Sequence, residues 1–95
     1  MVSYDQGHAT WDRITTDEVI WNRHPSPYGR NSHMIVADAH GASMVVHVTP
    51  IVGIGTFCRW STIAHGSVDR VVDAGIGMMA VESAIAQCVA ALRRV

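Results

Sequence analysis

Six histidines are the residues of this chain with the most chemistry to offer. They stand at positions 8, 24, 33, 40, 47 and 65. Zinc sites usually take two ligands from one short stretch, such as His-x-His, His-x-x-x-His on a helix, or a close pair of cysteines. None of these spacings occurs here, so a metal site would have to be assembled from distant parts of the chain. We therefore predict no metal site.

The acidic residues and glycines do not suggest a catalytic arrangement either. Asp38, Asp69 and Asp73 are placed on a small sheet with no evident pocket, where carboxylates are usually solvated. Gly75 and Gly77 before a helix could receive a phosphate, but no further glycine or basic residue supports that role. A strand-to-helix turn explains them better. We predict no catalytic residue, no cofactor and no enzymatic activity.

The composition favours a small protein built mainly from strands. Thirteen valines and eight isoleucines stand against one leucine, and β-branched side chains suit a pleated sheet. Residues 1–95 are expected to form one domain around a single core, with 1–12 loosely ordered. The net charge is −1 and the basic residues are scattered arginines, so we expect no nucleic-acid partner.

The two cysteines and the hydropathy pattern indicate a cytoplasmic setting. Cys58 and Cys88 are expected to be small buried thiols and not a disulfide. We recognise no secretory signal and no apolar run of about 20 residues, the length needed to cross a bilayer. A cytoplasmic protein without a membrane partner is the expectation.

The clearest structural signal is a C-terminal amphipathic helix. Its apolar face recurs at three- and four-residue steps and consists of Val81, Ala84, Ile85, Cys88, Leu92 and Val95. Glu82 in the first turn and arginines in the last suit the helix dipole. The segment 74–77 is expected to be the turn before this helix, which would start between Gly77 and Ala80. Met79 would then be a weak N-cap.

Two similar turns predict two hairpins. Residues 39–42 read Ala-His-Gly-Ala, and residues 64–67 read Ala-His-Gly-Ser. His-Gly suits a two-residue type I′ loop because glycine accepts a positive φ, and histidine accepts it more readily than β-branched residues do. We therefore interpret His40 and His65 as turn residues and not as ligands or bases.

The first turn determines the register of its hairpin. One face is apolar and is expected to meet the helix; its pairs are Ala39 with Ala42, Ala37 with Met44, Ile35 with Val46, and His33 with Val48. The other face is mixed and is expected to be solvated or partly covered; its pairs are Asp38 with Ser43, Val36 with Val45, and Met34 with His47. His33 and His47 would thus lie on opposite faces.

The second turn gives a less decisive register. One face would pair Ile63 with Val68, Ser61 with Arg70, and Arg59 with Val72. The other would pair Thr62 with Asp69, Trp60 with Val71, and Cys58 with Asp73. Neither face is cleanly apolar, so two explanations stay open: a bulge shifts the register, or both faces are partly covered.

The N-terminal half is harder to interpret. Thr15 and Glu18 have the spacing of a capping box, which would start a short helix, whereas Val19-Ile20-Trp21 has the character of a strand. We favour the strand. Residues 24–32 collect prolines, serines, a glycine and an asparagine, which indicates a surface loop.

These patterns predict an α+β fold. We expect a small antiparallel sheet of three to five strands, covered on one face by the C-terminal amphipathic helix, in the order β-β-β-β-α.

The C-terminal part of the chain also carries a recognisable pattern. It consists of a Trp-x-x-hydrophobic strand, a hairpin glycine and a Gly-x-small step into an alanine-rich helix, seen in Trp60–Ile63, Gly66, Val71, Val72, Gly75, Gly77, Glu82, Ala84 and Leu92. This pattern resembles small orphan proteins of actinobacterial phages, of the mycobacteriophage type, although Met79 stands where that group usually has Ser or Thr. It is more faintly similar to HicB-type antitoxin domains.

The resemblance implies a non-enzymatic phage accessory protein that binds a protein, in the first instance one of the host. The alternative is a HicB-like antitoxin or regulatory module without its own DNA-binding domain. Exposed apolar surface further predicts a homodimer. The alternative is a monomer in which Trp11, Trp21 and the N-terminal segment fold back and cover that surface. The residues expected at such an interface are Val36, Val45, Ile51, Val52, Ile54 and Trp60.

Overall fold

The computed structural model describes residues 13–16, 19–25 and 31–95. Six strands form one antiparallel sheet in chain order: β1 (Arg13–Thr16), β2 (Val19–Pro25), β3 (His33–Ala39), β4 (Ala42–Ile51), β5 (Gly55–Ala64) and β6 (Arg70–Met78). A helix, α1 (Val81–Ala91), follows and ends in a short 3-10 turn (Leu92–Arg94). The predicted α+β class is confirmed, and the sheet has one strand more than the largest number predicted. The expected loose segment 1–12 lies outside the described residues.

The first hairpin has the predicted register throughout. All seven residue pairs of β3 with β4 match, from His33 opposite Val48 to Ala39 opposite Ala42. His40 has φ 52° and Gly41 has φ 76°, as a type I′ turn requires at both central positions. Turn chemistry therefore sets which side chains of β3 and β4 face the core.

The core lies between α1 and the inner face of the sheet. The helix packs on β4, β5 and β6, and it buries Val81, Ala84, Ile85, Cys88 and Ala91. Leu92 is only half-buried and Val95 is exposed, because the chain tightens into the 3-10 turn after Ala91 and leaves the helical period. Leu92 nevertheless packs against the core, as its place on the predicted face requires, whereas the prediction for Val95 is wrong.

The strand β6 extends through the segment predicted as a turn. Both Gly75 and Gly77 are paired with β5, so the predicted strand-to-helix turn at 74–77 is wrong. The chain leaves the sheet after Met78, where the Met79 N–H donates to the Thr56 carbonyl at 3.0 Å. The N-cap is Ala80, which has no side-chain cap hydrogen bond. The cap is thus weak, as expected, but one residue later than Met79.

The second hairpin differs from its prediction. Its loop runs from residue 65 to 69, and Ala64 pairs with Arg70, so His65-Gly66 is not a two-residue loop. The His65 N–H donates to the Gly41 carbonyl at 2.8 Å, which holds the chain alongside the first hairpin for one more residue before it reverses. The register then shifts between Thr62 and Ile63. The bulge, one of the two explanations left open, is therefore present.

The strand interpretation of the N-terminal half is confirmed. Val19-Ile20-Trp21 begins β2, and Thr15 and Thr16 belong to β1. The predicted loop started too early, because His24 and Pro25 continue β2 and pair with Met34 and His33.

Trp60 belongs to the core and not to an exposed interface. Its residue is only 8% exposed, and it pairs with Gly75 of β6. A Cβ built on Gly75 would lie 2.4 Å from Cζ2 of the Trp60 indole. The absence of a side chain at Gly75 is what lets the indole lie flat against β6.

The two glycines of β6 provide a matched test of this packing. Gly75→Ala should lower the free energy of unfolding by about 2 kcal/mol or more, because the new methyl group overlaps the Trp60 ring. Gly77→Ala should change it by less than about 1 kcal/mol, since a Cβ there meets only Met79 Cε at 3.7 Å. Urea unfolding of both variants measures the difference. Equal stabilities would show that the indole does not need the space at Gly75.

Candidate interaction surface

The sheet has a second face, directed away from α1, which we call the open face. It comprises the even-numbered residues of β3 and the odd-numbered residues of β4 and β5. On β6 it comprises Val71 and the even-numbered residues from Ala74 to Met78. Every one of these residues is half-buried or exposed. The neighbouring positions that face α1 include the fully buried Ile35, Met44 and Val46. The open face therefore belongs to no core of the described chain.

The open face is apolar over much of its area. On β6, Val71 is 62% and Ile76 is 63% exposed, and Met78 is about half exposed. Val36 and Val45, which the sequence placed at an interface, lie half-buried at its centre. Contiguous apolar surface of this kind usually marks a contact site in a soluble protein.

The turn between β4 and β5 carries several exposed apolar side chains. We call residues 51–54 the apolar turn. Val52 is 99% and Ile54 is 74% exposed, whereas the backbone is ordered by the Ile54 N–H, which donates to the Ile51 carbonyl at 3.0 Å. Met78 reaches toward Gly55 beside it. Three of the residues predicted at an interface, Ile51, Val52 and Ile54, thus lie together at one end of the open face.

Few charges interrupt this surface. Arg59 of β5 lies opposite His47 of β4, and both border a shallow hollow of about 200 Å³ together with Phe57 and Ile76. Burial, and secondarily the positive charge of Arg59, lowers the pKa of His47. The hollow is therefore an apolar site with one permanent cation at its border.

A further polar network joins the two histidine turns, and sequence reasoning missed it. Ser43 Oγ lies 2.5 Å from His65 Nε2, and His65 Nδ1 lies 3.2 Å from Asp69 Oδ1. Ser43, His65 and Asp69 are thus connected in the order of a nucleophile, a base and an acid that orients the base. The signal that could have found it is that both His-Gly turns lie at the same end of the antiparallel meander.

The hydrogen bonds of Ser43 do not suit a nucleophile. Its hydroxyl donates to Asp38 Oδ1 at 2.5 Å, so its only proton is directed away from His65. The side chains of His65 and Asp69 are 48% and 61% exposed, so the network is open to solvent. The network holds the 65–69 loop against β4.

The thiols are not nucleophiles either. Cys58 and Cys88 are free and buried, which confirms the expectation of reduced core cysteines. Burial raises the pKa of each to about 11, so both remain protonated at neutral pH.

The described residues also bear on a metal site and on a membrane span. Within the residues that the structure describes, His, Cys, Asp and Glu side chains form no group of three that could hold a metal ion. His33 and His47 lie on opposite faces, as their register requires. In the same part of the chain, no helix combines the length and apolar character that a bilayer crossing needs.

Comparisons with known proteins identify no relative. No family model, no curated protein and no solved structure matches the chain.

The position of His47 leads to a pH prediction. Folding lowers the pKa of His47 from the ordinary value of 6.5, so the unfolded chain binds a proton at His47 more readily than the folded chain does. The contribution of neutral His47 to the free energy of unfolding is therefore complete above pH 6.5 and is lost as the pH falls below it. Urea unfolding from neutral pH down to about pH 5 should therefore show a steeper loss for the wild type than for His47→Gln. Parallel losses in the two proteins would contradict this.

Proposed function

We propose that this chain is a non-enzymatic accessory protein of a phage, acting in the cytoplasm of the bacterial host by binding a host protein through the apolar turn. The observation that carries the proposal is that two apolar side chains lie exposed together in one turn, Val52 at 99% and Ile54 at 74%. The resemblance of the C-terminal pattern to small phage proteins supports the context.

The apolar turn has no evident role in folding. A chain reversal needs only suitable backbone angles, which Gly53 supplies with φ 76°, and polar residues commonly provide them. Val52 and Ile54 instead present apolar side chains to water at the tip of a rigid hairpin. Burying such a side chain in a partner contributes about 1.5–3 kcal/mol, so the pair can anchor a complex.

The chemistry of the surface also favours binding over catalysis. The Ser43 proton is directed to Asp38, and the pKa of both thiols is raised. An enzyme needs a nucleophile or base, a means of activating it and a place for the substrate, all in one site. The described polar groups instead serve the fold.

The proposal predicts selective capture of one host protein. Immobilised wild type should retain it from a lysate of an actinobacterial host, and the double variant Val52→Asp/Ile54→Asp should lose it, because two charges cannot enter an apolar pocket. Val68→Asp is the matched control, since Val68 is 81% exposed in the 65–69 loop and lies away from the apolar turn. Mass spectrometry identifies what is retained.

The outcomes are distinct. A host protein retained by the wild type and the control but not by the double variant supports the proposal. A co-encoded toxin with the same pattern would favour the HicB-like alternative. Retention that does not distinguish the double variant from wild type would exclude the apolar turn as the contact.

A further inference from the structure

We infer that the open face binds a second copy of this chain, forming a symmetric dimer in which Arg59 pairs with the partner's Asp38. The apolar turn explains contact with another protein, but it leaves the open face unexplained. Burial, charge and position on that face all favour a copy of the same chain as its occupant.

The charges of the open face are balanced. Among its residues, as defined above, Arg59 is the only arginine and Asp38 the only carboxylate. A purely apolar partner would remove both from water without a counter-charge, which is strongly unfavourable. An acidic partner would satisfy Arg59 and repel Asp38. A second copy offers a carboxylate to Arg59 and a guanidinium to Asp38 at the same time.

The positions of the two charges fit a two-fold axis. Arg59 is aligned with His47, and Asp38 with Ser43, so the two charges lie diagonally on either side of Val45. Consider two copies whose open faces meet, related by a two-fold axis that lies between the sheets, passes over Val45 and is perpendicular to this diagonal. The axis places Arg59 of each copy over the partner's Asp38, so the contact forms twice. Ser43 donates only to Oδ1 of Asp38, and Oδ2 is available to a guanidinium.

The resulting geometry is compatible with sheet packing. A strand spacing of about 4.8 Å and a rise of about 3.4 Å per residue fix the direction of the Arg59–Asp38 diagonal relative to the strands. With the two-fold axis perpendicular to that diagonal, the strands of the two sheets cross at about 70°, between the aligned and orthogonal classes of sheet packing. Val36 and Val45 would then be at the centre of the interface. The apolar turn, about 20 Å along β4 from Val45, stays accessible.

The size of the open face is sufficient for a small dimer. Ile20 extends it onto β2, where it is exposed. Five strands over about seven residues give roughly 24 by 24 Å in projection. That is about 600 Å² per chain, the lower limit for specific interfaces.

Charge reversal tests the dimer directly. Sedimentation velocity across a dilution series should show twice the 10.3 kDa chain mass for the wild type. Arg59→Asp and Asp38→Arg should each raise the dimer dissociation constant at least tenfold, because each creates two like-charge contacts. The double variant Arg59→Asp/Asp38→Arg should restore dimerisation, since it exchanges the partners of both pairs. Circular dichroism confirms that each variant is folded.

A control variant and the contrary outcomes complete the test of the dimer. Arg93→Asp, an exposed charge reversal within the 3-10 turn and off the open face, should leave the dimer intact. A wild type that is monomeric at all concentrations would overturn the inference and assign the open face to a heterologous protein. A dimer unaffected by Arg59→Asp, or a folded double variant that fails to dimerise, would equally refute the Arg59–Asp38 pairing.

Discussion

In the part of the chain that the structure describes, one short helix packs on a six-stranded sheet, and much of the described structure depends on that constraint. The helix α1 has 11 residues and is about 16 Å long, so it covers the inner side of β4 to β6 and nothing on the opposite side. Because side chains alternate along every strand, the chain concentrates its fully buried residues on one set of positions and leaves the other set half-buried or exposed. The open face is the direct result.

The parts of the fold that could be predicted from the sequence are those fixed by interactions between residues close together in the chain. The register of the first hairpin could be derived because His40-Gly41 satisfies a two-residue turn by itself. The second hairpin contains the same dipeptide, yet its loop is longer, because the His65 N–H is bound by Gly41, a residue distant in sequence. A local pattern cannot show which of two geometries wins when the deciding hydrogen bond comes from another hairpin.

The same limit applies to the surface. Val36 and Val45 are half-buried and the residues of the apolar turn are exposed, as local alternation and turn signals predict, and their place at an interface stays a prediction. The exposed position predicted for Trp60 is wrong because β5 pairs with β4 so that Trp60 lies opposite the buried Val46, and hairpin turns alone do not give that pairing. The role of Gly75 beside the Trp60 indole depends in turn on the register of β6. The Ser43–His65–Asp69 network likewise needs the true loop length, which only the folded sheet supplies.

The order of the strands has a consequence for how the protein is made. Each strand pairs with the one synthesised immediately before it, so the sheet can grow strand by strand as the chain leaves the ribosome, with mostly short-range contacts. The helix α1 follows all six of these strands in the chain. Until α1 emerges, the inner sides of β4, β5 and β6 lack the helix that packs on them, and exposed apolar surface of this kind promotes aggregation of a nascent chain. The synthesis of α1 therefore covers the apolar inner side of these three strands and ends that interval.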